Sequence, residues 1–435
     1  MITITIDGEQ VMVAEGTTIM EAAERVNIRI PRLCFLEGLT PLGACGVCVV
    51  DVEGERSITR SCVRQVQEGM KIHTNTPRIR KTRRMLVELL LANHPAECFT
   101  CIRGPNCELK QLASDLGVTS IRFDEKKPHR RKDETSPAVV RNPNKCILCG
   151  RCIRVCSDVQ TVGALEFVNR GSELIVTTGL KKGLGNVECV NCGQCIHACP
   201  VAAITENIHV DKVWHAIGDP DKFVVVQEAP AVRAALGEQF GLPAGTLVTG
   251  KMHAALKKMG FDAVFDTNFT ADLTIMEEGS ELVKRVTEGG VLPMITSCCP
   301  GWIKFAEHFY PDLLPHLSTC KSPQQMFGAL AKTYYAQKSG IDPEKIVSVS
   351  VMPCTAKKFE AQRPEMESSN FRDVDYVLTT RELSRMIRES GIDFTALPEE
   401  KSIDLMGAYS GAATIFGATG GVMEAALRTA YKLIS

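Results

Sequence analysis

Two sulfur-bearing turns carry the most pointed chemistry in this sequence. Thr296-Ser297-Cys298-Cys299-Pro300-Gly301-Trp302 follows Val291-Leu292-Pro293-Met294-Ile295, a short apolar run that reads as a buried strand. Adjacent cysteines at a strand end, followed by Pro-Gly, put sulfur on a tight turn above a sheet, and open α/β sheets bind ligands at that edge. A second apolar run, Ile346 to Val351, ends the same way in Met352-Pro353-Cys354-Thr355-Ala356-Lys357-Lys358. Thiols and a lysine at two strand ends suggest one metal site. Buried structural cysteines are the ordinary alternative for either motif alone. Fifteen cysteines in tight groups precede them, which favours the metal.

The first group, Cys34, Cys45, Cys48 and Cys62, is spaced Cys-x10-Cys-x2-Cys-x13-Cys. Its Gly43-Ala44-Cys45-Gly46-Val47-Cys48 segment is made of small residues, as a loop must be if its amides point at inorganic sulfide. It resembles the β-grasp [2Fe–2S] domain of ferredoxins, in the form carried by hydrogenases and by the large subunit of NADH dehydrogenase. A zinc site is the alternative. The second group, His94, Cys98, Cys101 and Cys107, offers one imidazole and three thiolates, a set that also suits structural zinc. The same resemblance implies a histidine-ligated [4Fe–4S] cluster. The third group is an internal repeat: Cys146, Cys149, Cys152 and Cys156 repeat the spacing of Cys189, Cys192, Cys195 and Cys199. Cys-x2-Cys-x2-Cys-x3-Cys is the two-cluster ferredoxin pattern, in which the fourth cysteine of each run ligates the other cluster. That assigns Cys146, Cys149, Cys152 and Cys199 to one [4Fe–4S], and Cys189, Cys192, Cys195 and Cys156 to the other. Ser157 stands where proline is usual, and Pro200 keeps it.

The elements that would position these groups divide the chain into four domains: 1–78, 79–125, 138–209 and 210–435. In the first, Met1–Asp7 and Gln10–Val13 read as strands, and a helix from Thr17 puts Ile19, Ala22, Ala23 and Val26 on one face. A helical run, Arg83 to Ala92, leads to His94. From Val210 cysteines thin out and α/β alternation begins. Phe223–Val226, Ala263–Phe265 and Val291–Ile295 read as buried strands, with helices over Ala231–Phe240 and Leu273–Thr287. Ile346–Val351, Tyr376–Leu378 and Asp404–Tyr409 suggest a second set. The expected class is therefore α+β multidomain, ending in an α/β domain of two parallel-sheet lobes. Gly417-Ala418-Thr419-Gly420-Gly421 opens a helix over Val422 to Ile434. It lacks Gly-x-Gly-x-x-Gly, so close backbone approach to a bulky cofactor explains it better than a nucleotide.

The 435 residues carry a net charge of −1 and are 44% hydrophobic, which supports several cores and gives no global pull toward nucleic acid. Arg78 to Arg84 and Lys126 to Lys132 are local basic runs, read as a solvated helix face and a linker; docking of an acidic electron carrier is the lesser reading. No apolar run is long enough for a membrane span, and the N-terminus lacks a signal-peptide pattern. Tight Cys-x2-Cys repeats indicate metal binding in a reducing compartment, so a cytoplasmic, anaerobic setting is expected.

Together, Thr296–Trp302, Met352–Lys358 and Phe416–Glu424 resemble the catalytic domain of [FeFe]-hydrogenases, and the long members of that family carry the four accessory clusters in this order. The resemblance implies that Cys299 and Cys354 ligate the [4Fe–4S] part of the H-cluster, beside its di-iron unit. It makes Cys298 the proton donor, pairs Lys357 with an iron-bound cyanide and gives Pro230 a backbone contact to cyanide. Ala231 stands where some members have serine. Gln324, Met352, Phe416 and Gly417 match pocket-lining positions. Glu278, Glu281, Arg285 and Ser318 match a proton path; the first three fall at i, i+3 and i+7 of one helical stripe, which is otherwise an ordinary charged face. Cys298, with an ordinary thiol pKa of roughly 8.5, suits proton exchange near neutrality.

The family's third cysteine motif, which supplies two further ligands, does not occur before Ser435. The expectation is an incomplete sequence, ligands from another chain, or an H-cluster not held here. Cys320 reads as a buried free thiol. The activity implied is reversible interconversion of protons and dihydrogen, with electrons passing to ferredoxin or to a flavin-containing NAD(P)-linked subunit of a hetero-oligomer. At about 59 mV per pH unit the hydrogen couple lies near roughly −410 mV at neutral pH, where low-potential ferredoxin clusters also work. The competing functions are an electron-transfer subunit without hydrogen chemistry and a hydrogen sensor.

Overall fold

The computed structural model describes residues 1–124, 128–401 and 405–435. They form two compact units: Met1–Cys189 with Gly193–Glu206, and Val190–Cys192 with Asn207–Ser435.

In the first unit, strands β1 (Ile2–Ile6), β2 (Glu9–Val13), β3 (Val49–Val52), β4 (Thr59–Arg60) and β5 (Lys71–His73) form one sheet in the order β2-β1-β5-β3-β4. Ile4, Ile6, Val11 and Val13 alternate inward, as a sheet with one buried face requires. Helix α1 (Ile19–Arg25) starts in a capping box, Thr18 with Glu21, and buries Ile19, Ala22 and Ala23 against that face. Helix α2 (Pro77–Ala92) begins six residues before the run expected from periodicity, because Thr76 caps it and Pro77 occupies its first position. Helix α3 (Glu108–Asp115), α4 (Arg151–Arg154) and α5 (Gln194–Ala198) follow, with two small ladders: β6 (Val139–Arg141) pairs β9 (Ile204–Glu206), and β7 (Glu166–Val168) pairs β8 (Ile175–Thr177).

The second unit is a parallel sheet of β10 (Phe223–Glu228), β11 (Ala263–Asp266), β12 (Ile346–Met352) and β13 (Tyr376–Thr379), in the order β11-β10-β12-β13. Val224 and Val226 pack into one core with helices α6 (Val210–Ile217), α7 (Pro230–Ala235) and α8 (Thr249–Lys258), while Val225 faces another. Helices therefore cover both faces, which is why the strands read as continuous apolar runs rather than alternating ones. The long α9 (Asn268–Glu288) is followed by α10 (Pro300–Phe309), α11 (Pro323–Leu330) and α12 (Ala336–Ser339). Next come α13 (Ala356–Glu360), α14 (Thr380–Glu389), α15 (Gly411–Ile415) and α16 (Gly421–Ile434).

Three expectations are corrected here. The two strand sets are not two lobes among the described residues: β12 pairs directly with β10, Val226 opposite Val349, so both sets join one sheet. Val291–Ile295 is not a strand. Val291 and Leu292 are exposed, Pro293 has no N–H to give a ladder, and only Ile295 bridges, to Leu317. In the expected Asp404–Tyr409 strand, Asp404 lies outside the described residues and Leu405–Gly407 form a turn. The basic run from Lys126 likewise lies partly outside them. At the glycine-rich turn, the close approach is to the chain itself: a Cβ on Gly421 would sit 1.7 Å from the Ile415 carbonyl oxygen.

Candidate active site and cluster cradles

The thiols of the first unit sit on loops shaped by local sequence. Cys34, Cys45, Cys48 and Cys62 are all buried, and the Cys48 and Cys62 sulfurs lie 3.4 Å apart. Gly43 and Gly46 have φ of +65° and +69°, a conformation that costs a side chain dearly. Packed so closely, the four thiols share protons unevenly. Contact with Cys45 holds Cys34 low, contact with Cys62 brings Cys48 down to about 7, and Cys45 and Cys62 rise in return. A cationic iron cluster relieves that competition by taking all four as thiolates.

The repeat is visible in the backbone as well as in the spacing. Leu148 and Gly150 flank Cys149 with φ of +55° and +74°; Asn191 and Gly193 flank Cys192 with +59° and +76°. Cys146, Cys149, Cys152 and Cys199 line one small cavity, closed by Pro143, Ile147 and Val201. The fourth thiol thus comes from the other run. Burial pushes the Cys149 thiol up to about 12 and raises Cys152 as well, so both hold their protons without a metal. Cys189, Cys195 and Cys156 belong to the same unit; Cys192 packs with the second. His94 is half-buried and Cys98 exposed on a loop that doubles back until a Cβ on Gly104 would touch the Cys98 carbonyl oxygen at 2.7 Å. Among the described residues no three His, Cys, Asp or Glu side chains converge on a single-ion site.

In the second unit, secondary structure delivers the thiols. Cys299 is the N-cap of α10, and Cys354 lies between the end of β12 and the start of α13. Burial raises the Cys354 thiol above its ordinary value, with the Ala356 backbone N–H partly opposing. Lys357, in α13, reaches across: its Nζ donates to the Cys298 carbonyl at 2.8 Å and to Glu360 Oε2 at 2.9 Å. Gln324 of α11 donates to the same Glu360 oxygen at 3.0 Å and to the Lys357 carbonyl at 3.3 Å. Met352 is buried at the strand end beneath them. In this knot Gln324 Oε1 is buried without a protein partner, as fits a wall made for a polar group. Pro230 and Ala231 open α7 at the same sheet edge and are exposed. Phe416 packs beside Ile275 of α9, whereas Gly417 is exposed.

The charged stripe on α9 is not a solvated face. Glu281 Oε2 accepts from Ser318 Oγ at 3.1 Å and from Thr319 N at 3.0 Å, and its other oxygen accepts from Arg285 Nε at 3.0 Å. Arg285 also donates to the Leu317 carbonyl at 2.7 Å, which pins the 315–318 segment to α9. These partners hold Glu281 below the usual carboxylate range despite burial. Glu278, three residues earlier, is 1% exposed, and burial raises its pKa while Ser318 partly offsets this. Burial also raises Cys298 above an ordinary thiol, with Lys357 opposing and Glu278 adding to the rise. Cys298 is therefore a held proton, not a ready thiolate. Cys320 is half-buried rather than buried, 3.7 Å from Glu281, and burial pushes it up to about 11.

Sequence reading missed Glu360, although it lies i+3 from Lys357 on a helical run and that spacing is its signal. It also missed the buried Lys358, which donates to Glu382 of α14, 24 residues away. No local pattern marks that pair.

Comparison with known proteins gives four family matches along the chain. The family described as iron only hydrogenase large subunit, C-terminal domain, matches residues 222–435. A 2Fe-2S iron-sulfur cluster binding domain matches 1–77, the NADH-ubiquinone oxidoreductase-G iron-sulfur binding region 83–122, and the ferredoxin-like domain of NADH-quinone oxidoreductase subunit 3 matches 136–205. The NADP-reducing hydrogenase subunit HndD of Solidesulfovibrio fructosivorans is 51% identical over all of this chain and 76% of its own length. Iron hydrogenase 1 of Clostridium pasteurianum is 46% identical over 99% of this chain and 75% of its own length. A solved [FeFe]-hydrogenase variant from Chlamydomonas reinhardtii, 49% identical, overlays on 52% of this chain and 58% of that one with a TM-score of 0.48. Among the described residues no helix is long and apolar enough to cross a membrane.

Proposed function

Since this chain belongs to the iron-only hydrogenase family, we propose that it is the iron–sulfur catalytic subunit of an [FeFe]-hydrogenase, interconverting dihydrogen with protons and electrons. The observation that carries this reading is the Lys357 bridge, which binds the Cys298–Cys299 turn to the Cys354 turn across 59 residues of sequence. Cys299 and Cys354 would hold the cubane of the H-cluster, supplying two of the four ligands such a cluster takes. When bound, the H-cluster supplies the iron at which dihydrogen is made or split. The chain's own residues do the rest. Lys357 and the Pro230 backbone orient the group, Met352 and Gln324 wall it, and Cys298 gives or takes the proton. Ser318, Glu278, Glu281 and Arg285 carry that proton along α9 toward solvent.

The same reading places one [2Fe–2S] in residues 1–78, one histidine-ligated [4Fe–4S] in 79–125 and two [4Fe–4S] in 138–209, ahead of a catalytic domain from 210. Electrons leave to ferredoxin or to an NAD(P)-linked flavin subunit, because the chain's front half matches parts of NADH-linked oxidoreductases and HndD is named as NADP-reducing. The matured enzyme carrying all four cubane ligands, given reduced methyl viologen under argon, evolves hydrogen. A fully iron-loaded preparation that evolves none overturns the reading.

A further inference from the structure

We infer that Lys304, Glu307, Phe359 and Arg363 form a latch that sets the spacing of the Cys299 and Cys354 sulfurs, with Phe359 as its central positioning residue. The inference rests on the proposed hydrogenase reading, in which both sulfurs hold the catalytic cubane, and the latch lies wholly within the second unit. Helix α10 begins directly after Cys299, and α13 begins two residues after Cys354. A helix is a stiff rod that rises about 1.5 Å per residue, so whatever fixes two rods against each other also fixes the sulfurs at their heads. Lys357 ties the heads together. One tie leaves the rods free to pivot, and a second is needed further down.

The four side chains supply it. Lys304, five residues past Cys299, is buried on α10, and its Nζ lies 4.5 Å from the centre of the Phe359 ring, five residues past Cys354. Arg363 Cζ lies 5.6 Å from the centre of the same ring. Arg363 Nη2 donates to Glu307 Oε1 on α10 at 2.6 Å, and its Nε donates to Glu365 Oε1 at 2.5 Å. The contacts match in register. Lys304 and Phe359 stand at the same offset from their cysteines, and Glu307 and Arg363 stand eight and nine residues beyond them. Rods that meet at equal offsets run side by side away from the site.

An ion pair as exposed as Arg363 with Glu307 contributes little by itself. The ring strengthens the contact. An aromatic face attracts a cation through its quadrupole, more so as water is removed, and Lys304 is buried. One aromatic side chain thus engages a cation from each cysteine-bearing segment, and the arginine beside it reaches back to the acid on α10. None of the four bears a sulfur, so the latch acts through position. The potential of a cubane follows the hydrogen bonds to its sulfurs and its exposure to solvent, and both change when a ligand turn tilts.

The test uses the matured enzyme carrying all four cubane ligands, and three variants that leave the net charge unchanged, so that a shift reports position rather than field. Phe359→Leu keeps apolar bulk and loses the ring. Arg363→Lys keeps the charge and loses the planar group that spans the ring and two carboxylates. Phe359→Tyr keeps the ring. A potentiometric titration followed by electron paramagnetic resonance reads the catalytic cubane apart from the accessory clusters. At a fixed potential Phe359→Leu is expected to change the cubane's reduced-to-oxidised ratio about tenfold, equal to about 59 mV for one electron. Arg363→Lys shifts it by less in the same direction, Phe359→Tyr matches wild type, and the accessory clusters keep their potentials. A lowered unfolding midpoint with an unmoved cubane would make the contact ordinary packing and overturns the proposal, as does an equal shift of the accessory clusters. Should Phe359→Leu fail to fold, Arg363→Lys decides by the same criterion. An iron-loaded wild type that shows accessory-cluster signals alone refutes the hydrogenase reading instead.

Discussion

The cradle around Cys146 and the turn pair at Cys299 and Cys354 gather thiols in opposite ways. In the first, three sulfurs come from seven consecutive residues, held by left-handed backbone at Leu148 and Gly150, and only Cys199 arrives from afar. In the second, each cysteine sits on its own element, and what joins them is a lysine, a glutamate and a glutamine from α13 and α11. A local cradle stores its geometry in the loop. A site assembled from distant turns stores it in the packing of the helices that carry them, so the second unit is more exposed to damage outside its ligands.

The largest effect that sharpens this contrast comes from one thiol that ligates nothing. Cys298→Ala lowers hydrogen evolution by roughly 10²–10⁴-fold, the usual contribution of a positioned acid or base, with iron content and cluster spectra intact. Near-normal evolution would remove Cys298 from the proton step.

Next is the packing beneath the second site. Lys358 is fully buried, with Nζ 2.9 Å from Glu382, so Lys358→Met strands a buried carboxylate at a cost of about 3–5 kcal/mol. The second unit should unfold at lower urea while the [2Fe–2S] absorbance of residues 1–78 persists. Simultaneous loss of both signals would show that the contrast between the units is false.

A smaller effect is set by pH. His209 precedes α6; its Nδ1 accepts from Val377 N at 3.3 Å, and burial lowers its pKa to about 3. The folded state therefore binds fewer protons than the unfolded one between about pH 6.5 and 3, and stability falls as pH drops through that window. His209→Gln should lose about 2 kcal/mol less than wild type between pH 7.5 and pH 5, where imidazole protonates only on unfolding. An unchanged pH slope in urea titrations would exclude His209 as the cause.

The smallest comparison sets two capping boxes side by side. Thr18→Ala in the first unit costs about 1 kcal/mol, the ordinary value of a cap. Thr379→Ala should cost more, because its partner Glu382 also holds Lys358 and accepts from His209 N at 2.7 Å. Equal shifts in unfolding midpoint would make Glu382 an ordinary cap.

Much of this was legible in advance. Cysteine spacing marked each accessory group, because a cluster loop is short and its ligands must recur at intervals the backbone can span. Strands β10 to β13 were legible from apolar runs, since a sheet covered on both faces leaves few polar positions. Val291–Ile295 misled for the converse reason. It is apolar but carries Pro293 and lies in a loop that lends carbonyls to Arg285.

The sequence by itself determined which residues are proposed to bear the chemistry: the sulfur groups, Lys357, and the Glu278–Glu281–Arg285 stripe at helical spacing. Tertiary structure alone decided which of them meet. It brought Cys199 to the first run's cavity, Ser318 to Glu281, and both Lys358 and His209 to Glu382. It also turned a charged helix face into a chain of partly buried partners. The physical reason is distance along the chain. Periodicity and turn chemistry reach about one helical turn, whereas burial and hydrogen bonding join residues 24 to 173 positions apart and depend on how the helices pack on the sheet.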